Sequence, residues 1–178
     1  MDKQKHLIAP FKEGKLKELR AGDLVSLSGS ILTARDAAHK RLIETIESGI
    51  ALPIDINNQA LFYLGPSPTP PGKNCGSIGP TTAARMDEMT EPLLKAGLKA
   101  TIGKGKRSET VKKLFGHYGS VYFVAVGGVA AFLSKKVKKI EVVAYHDLGP
   151  EAIYRLEVND FPLIVAYDTH GGDIFQRL

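Results

Sequence analysis

Residues 24–47, LVSLSGSILTARDAAHKRLIETIE, change their period halfway along, and that change decides the fold class. Up to Leu32, the apolar Val25, Leu27 and Ile31 alternate with small polar residues, the period-two pattern of a strand with one buried face. From Asp36 the period lengthens. Ala38, Leu42, Ile43 and Ile46 fall on one face of a helix that stops before Gly49. Thr33 with Asp36 three positions on has the form of a capping box. A strand that feeds directly into an amphipathic helix belongs to a layered α/β domain.

Outward from this unit, strands are expected at residues 6–11 and 16–19 on one side and at 61–64 on the other. A loop rich in proline and glycine follows, GPSPTPPGKNCGSIGP (65–80), longer than most loops without a function. Gly79-Pro80-Thr81-Thr82 reads as a helix start continued through Ala83 to Met89, with Pro92 breaking or restarting the pattern. Further on come a strand (98–102), the turn GKGKRS (103–108), a helix capped by Ser108, a strand (121–126) and a short helix from Gly127 to Lys135. The last third is β-rich, with strands expected at 140–144, 152–158 and 163–167. Strands and helices mix without a regular βαβ beat. The expectation is one layered α/β domain over residues 1–178 with a mixed sheet and strands packed on strands.

Composition narrows the function classes. The chain has 178 residues, 43% of them hydrophobic, enough for a real core. No stretch approaches the apolar length of a membrane span, and MDKQKHLIAPF has no secretory h-region, so the expected location is cytoplasmic. A single cysteine, Cys75, excludes an intramolecular disulfide and any cysteine-ligated cluster built from this chain alone. The net charge of +5 suits an anionic ligand, and equally a nucleic acid bound through basic turns. The absence of Trp and the 7% aromatic content argue against a base-stacking surface.

Three segments share one design: a strand end, a helix start and a cation. Arg35 opens the helix in TARDAAHK. Thr81 and Arg85 are four apart in GPTTAARMD, one face of a helix. Lys104 and Lys106 flank a glycine in GKGKRS, with Arg107 adjacent. Helix starts present free N–H groups to anions, and arginine presents a planar fork to a carboxylate. Singly, each cation reads as a solvated surface charge; together they read as a site for a small dianion. His39, four residues after Arg35, has a minor supporting place beside that site. The five histidines show no metal-ligand spacing. The segment 168–173 (DTHGGD) lacks the acidic spacing of a calcium loop and reads as a turn, and Cys75 as a loop thiol.

On SGSILTARDAAHKR, GPTTAARMD, GKGKRS and LGPEAIYRLEVNDFPLIVAYD, the chain resembles the β subunit of the iron–sulfur, class I fumarases and L(+)-tartrate dehydratases, equivalent to the C-terminal domain of the single-chain fumarases. The resemblance implies a swivelling β/β/α fold and reversible trans addition of water to a C4 dicarboxylate, fumarate and (S)-malate first and tartrate second. It also implies an α subunit that carries a four-iron four-sulfur cluster and supplies the acid, with no nucleic acid or membrane involved and no metal held by this chain. Carried over by motif, Arg35, Arg85 and Lys104 bind substrate carboxylates and Thr81 is the base. Lys106, just past the glycine, is the alternative to Lys104.

Overall fold

The computed structural model describes residues 4–125 and 130–176. Seven strands form one mixed sheet: β1 (Lys5–Ala9), β2 (Leu24–Thr33), β3 (Ala60–Phe62), β4 (Ala100–Gly103), β5 (Val121–Val124), β6 (Val137–Ala144) and β7 (Ile153–Tyr167). From β1 to β5 each neighbouring pair is parallel. The long β7 runs antiparallel to β2, β5 and β6. Because β7 pairs with both β2 and β5, the pairings β2–β3–β4–β5–β7–β2 close a circuit.

The two faces of this sheet bury different partners. Val25, Leu27, Ile31, Phe62, Ile102 and Phe123 point into a core made mainly of strand residues, among them Leu156, Phe161 and Val165 of β7. Leu32, Leu61, Tyr63 and Tyr122 point the other way, against α1 (Asp36–Glu47), α2 (Thr90–Lys95) and α3 (Glu109–His117). Strand, strand and helix layers result, as the sequence implied. The alternation along β2 holds, with Val25, Leu27 and Ile31 fully buried. Its register slips at Gly29, where a Cβ would lie 2.2 Å from the Ala9 carbonyl oxygen, so only glycine lets β1 approach.

Four expectations need correction. The segment 16–19 is not a strand; a 3-10 helix, Lys15–Glu18, takes its place. Leu16 and Leu19 are three apart and both buried, which suits three residues per turn better than alternation. The Thr33–Asp36 capping box does not form: Arg35 is the N-cap without a side-chain bond, and Thr33 Oγ1 accepts from the Tyr154 N–H at 3.1 Å. The two strands expected at 152–158 and 163–167 are one strand, β7. Asp160, at φ 50°, makes the bend between them, fixed by Ser26 Oγ at 2.9 Å and Ser28 Oγ at 3.0 Å. The fourth is the helix start at Thr81, since the helix begins only at Ala83. Ser108 caps α3 as expected, accepting from the Val111 N–H at 3.3 Å. α4 (Ala130–Ser134) matches the helix expected up to Lys135, whose start at Gly127 lies outside the described residues, as does Val126. None of the helices described is long and apolar enough to cross a membrane.

Candidate functional site

Five parallel strands send their carboxyl ends to one edge of the sheet, where α/β proteins place their ligands. Arg35 stands there two residues after β2, and Lys104 immediately after β4. Thr81 joins them through the backbone. Its N–H donates to the Tyr63 carbonyl at 2.7 Å just past β3, and its carbonyl accepts from the Lys104 N–H at 3.2 Å. Thr82 forms a parallel bridge with Lys104. The chain around Thr81 therefore lies extended between the ends of β3 and β4. A glycine makes this possible: a Cβ on Gly103 would sit 2.9 Å from Ala83 Cβ and from Tyr63 Cδ2.

The expected helical face shared by Thr81 and Arg85 is not present. The helix begins only at Ala83 and is a 3-10 helix, Ala83–Met89, that runs into α2. Backbone pairing with Tyr63 and Lys104 holds Thr81 and Thr82 extended instead. Pro92 falls in the first turn of α2, where a missing N–H costs little. Thr81 is half-buried and Thr82 exposed.

Two arginines are gathered by one carboxylate. Arg85 donates to Asp36 through Nε at 3.1 Å and Nη2 at 2.5 Å. Arg35 Nε lies 3.7 Å from Asp36 Oδ2 and 3.5 Å from Glu151 Oε1. Burial alone would raise the Asp36 carboxyl, but the Arg85 bonds, its own N–H at the helix start and the Arg35 charge hold it below the usual carboxylate range. Arg35 Nε and Glu151 Oε1 are both buried and without a hydrogen-bond partner among the described residues. Lys104 and Lys106 are exposed on the turn after β4.

His39 lies under this group, fully buried. Its Nδ1 is 2.8 Å from the Arg35 carbonyl oxygen. A carbonyl only accepts, so Nδ1 carries the proton and Nε2 the lone pair. Nε2 has no partner among the described residues, and the ring meets Tyr63 edge-on at 5.3 Å. Burial pushes the imidazole pKa down to about 4, so the ring is neutral near pH 7.

Sequence reasoning passed over the acidic partners. Asp36 and Asp87 stand in TARD and RMD beside the arginines; Asp36 reads from sequence only as a capping residue, whereas in the fold it pairs with Arg85, and Asp87 pairs with Arg107. Arg107 was noted merely as adjacent, and it is buried among rings. Its signal was its place after GKGK, one residue before the Ser108 cap. The turn read at 168–173 is confirmed: Asp168 accepts from the N–H groups of Ala21, His170 and Gly172, each at 2.8 Å.

Comparison with known proteins covers nearly the whole chain. The family model described as Fumarase C-terminus matches residues 2–178. The chain is 44% identical over 169 residues to the putative L(+)-tartrate dehydratase subunit beta of Methanocaldococcus jannaschii, covering 92% of this chain and 87% of that protein. It is 33% identical over 176 residues to the L(+)-tartrate dehydratase subunit beta of Escherichia coli, covering 96% and 86%. Against the anaerobic class I fumarate hydratase of Escherichia coli it is 40% identical over 173 residues, 95% of this chain but only 32% of that longer protein. The chain belongs to the fumarase C-terminus family, among the hydro-lyases.

Proposed function

We propose that this chain, as one domain, is the β subunit of a cytoplasmic two-part hydro-lyase that interconverts fumarate and (S)-malate. The observation that supports this best is the convergence of Arg35, Thr81, Arg85 and Lys104, from three separate segments, at one end of the parallel strands. Arg35, Arg85 and Lys104 bind the substrate carboxylates, and Thr81 takes the proton. His39 supports Arg35 from beneath through its backbone carbonyl.

Removing a proton alpha to a carboxylate builds charge on that carboxylate, and fixed guanidinium and ammonium groups stabilise the charge as it develops. A hydroxyl is a poor base unless its surroundings favour the alkoxide. Here Lys104 is its backbone neighbour, and the segment that carries Thr81 also carries Arg85, so two cations belong to the strands' end where Thr81 lies. Asp36 offsets part of it and keeps the Arg85 fork engaged.

In this reading the acid and a four-iron four-sulfur cluster belong to an α subunit. That cluster would supply Lewis acidity to the departing hydroxyl. The residues of this chain do not suit it as a host. Cys75 is the one cysteine, and burial pushes its thiol up, the reverse of what a thiolate ligand needs. Among the described residues, no group of three or more His, Cys, Asp or Glu is placed to hold a metal.

A second reading, L(+)-tartrate dehydration, is favoured by the match to a β subunit of similar length. The chemistry is the same, and the substrates differ by one hydroxyl. Anaerobic co-expression with the cluster-bearing chain, followed by turnover assays on fumarate, (S)-malate and L-tartrate, tests both. The pair is expected to turn over one of these diacids, and the chain alone none. Turnover by the chain alone, or a loaded pair inert on all three, contradicts the proposal.

A further inference from the structure

Arg107 lies three residues past Lys104, yet its side chain is fully buried. Nε donates to Asp87 Oδ1 at 2.5 Å and Nη2 to Thr90 Oγ1 at 2.6 Å. Nη1 reaches Tyr63 Oη at 3.2 Å and Thr101 Oγ1 at 3.4 Å. The guanidinium carbon sits 5.3 Å from the ring centres of Tyr63 and Tyr122 and 5.7 Å from that of Phe115. The backbone of the same turn is tied as firmly. The Arg107 N–H donates to Tyr167 Oη at 2.9 Å, Tyr122 Oη donates to the Gly105 carbonyl at 2.8 Å, and the Ser108 N–H donates to Asp87 Oδ2 at 2.8 Å.

Asp87 lies on the 3-10 helix Ala83–Met89, two residues after Arg85. The Arg107–Asp87 pair thus joins the turn that carries Lys104 to the segment that carries Thr81 and Arg85. A buried ion pair is a poor source of net stability, because desolvation of both charges offsets their attraction. What it supplies here is geometry: a planar fork with four side-chain hydrogen bonds, and three more on the backbone of the turn, leave the turn little freedom.

We propose that Arg107 is a positioning residue which, through Asp87, locks the Lys104 turn against the Thr81–Arg85 segment and so fixes Lys104 for the substrate carboxylate. The inference rests on the reading of Lys104 as a substrate ligand. A neighbour that acts through another residue loses its effect when that residue is removed, which a purely structural neighbour does not.

The test is a double-mutant cycle in the assembled two-chain enzyme, with kcat and KM measured for wild type, Lys104→Ala, Arg107→Lys and the double variant. Arg107→Lys keeps the charge facing Asp87 but loses the fork. It should lower kcat/KM on the order of tenfold to a hundredfold, mostly through KM, since small misplacements cost that much. In the Lys104→Ala background the same change should cost less than about twofold. Losses that multiply in the double variant would overturn the positioning role while leaving Lys104 as a ligand. A wild-type kcat/KM for Lys104→Ala would instead overturn the reading of Lys104, and the inference with it. Asp87→Asn, which keeps an acceptor for the Ser108 N–H, should show the same coupling. If neither variant assembles, the pair is structural and the inference fails.

Discussion

Asp36 holds Arg85 by one edge of its guanidinium, with Nε donating to Oδ1 at 3.1 Å and Nη2 to Oδ2 at 2.5 Å. The fork that the sequence offers to a substrate is thereby engaged inside the chain, and Nη1 takes no part in that pairing. Such an arrangement fixes the arginine's plane before any ligand arrives, which lowers the cost of ordering it on binding.

Replacing Arg35 or Arg85 by Ala should therefore cost transition-state stabilisation and leave the fold intact. Charge-assisted contacts to a carboxylate are worth roughly 1.5–3 kcal/mol, so kcat/KM of the assembled enzyme should fall about tenfold or more. Arg85→Lys should recover only part of this, because an ammonium cannot span both oxygens of Asp36. Unchanged kcat/KM in both Ala variants would exclude the carboxylate clamp.

His39 makes the stability of the fold depend on pH. Its pKa is pushed down by burial to about 4, while in the unfolded chain it returns to about 6.5. Between those values the unfolded chain binds a proton that the folded chain does not. The contribution is complete above about pH 6.5 and is lost as the pH falls towards 4, by roughly 3 kcal/mol. Denaturant titrations at pH 4–7 should show this slope in wild type and a shallower one in His39→Gln. Among the carboxyls held low, Asp23, Asp36 and Asp168 act mainly below this window, and the His39→Gln comparison removes the contribution of all carboxyls shared by both proteins. An imidazole NMR midpoint near 6.5 would contradict the assignment.

Asp168 is a stability residue without a part in the site. Its carboxylate accepts three backbone N–H groups, which joins the end of β7 to Ala21 ahead of β2. Asp168→Ala should destabilise the chain by about 2–3 kcal/mol, read as a Tm lowered by roughly 5–10 °C. Turnover per assembled molecule should stay within about twofold of wild type, since Asp168 touches none of the proposed site residues.

Much of this architecture was legible because period and burial agree. Val25, Leu27 and Ile31 announce a strand, and Ala38 and Leu42 announce the buried face of α1; all five are fully buried. Segments with short or borrowed signals misled. Leu16 and Leu19 fit a strand or a 3-10 turn equally until tertiary packing decides. The bend at Asp160 looked like a strand break because its support comes from Ser26 and Ser28, more than 130 residues away. Gly79-Pro80-Thr81-Thr82 reads as a helix start, whereas Tyr63 and Lys104 hold Thr81 extended. The cations of the site were legible as cations. Their carboxylate partners were not, since Asp36, Asp87 and Glu151 acquire meaning only when separate segments meet.

Thr81 is the proposed base, and its replacement is the most direct measurement. In the assembled enzyme, kcat and KM for Thr81→Ala are to be compared with those of Thr82→Ala and His39→Ala. Thr81→Ala should lower kcat steeply, on the order of a hundredfold or more, with KM nearly unchanged, the pattern of a group that acts only in the transition state. Thr82, exposed and beside it, and His39, buried and neutral, should each cost far less. A near-normal kcat for Thr81→Ala together with loss of turnover in His39→Ala would contradict the account and move the base to the histidine.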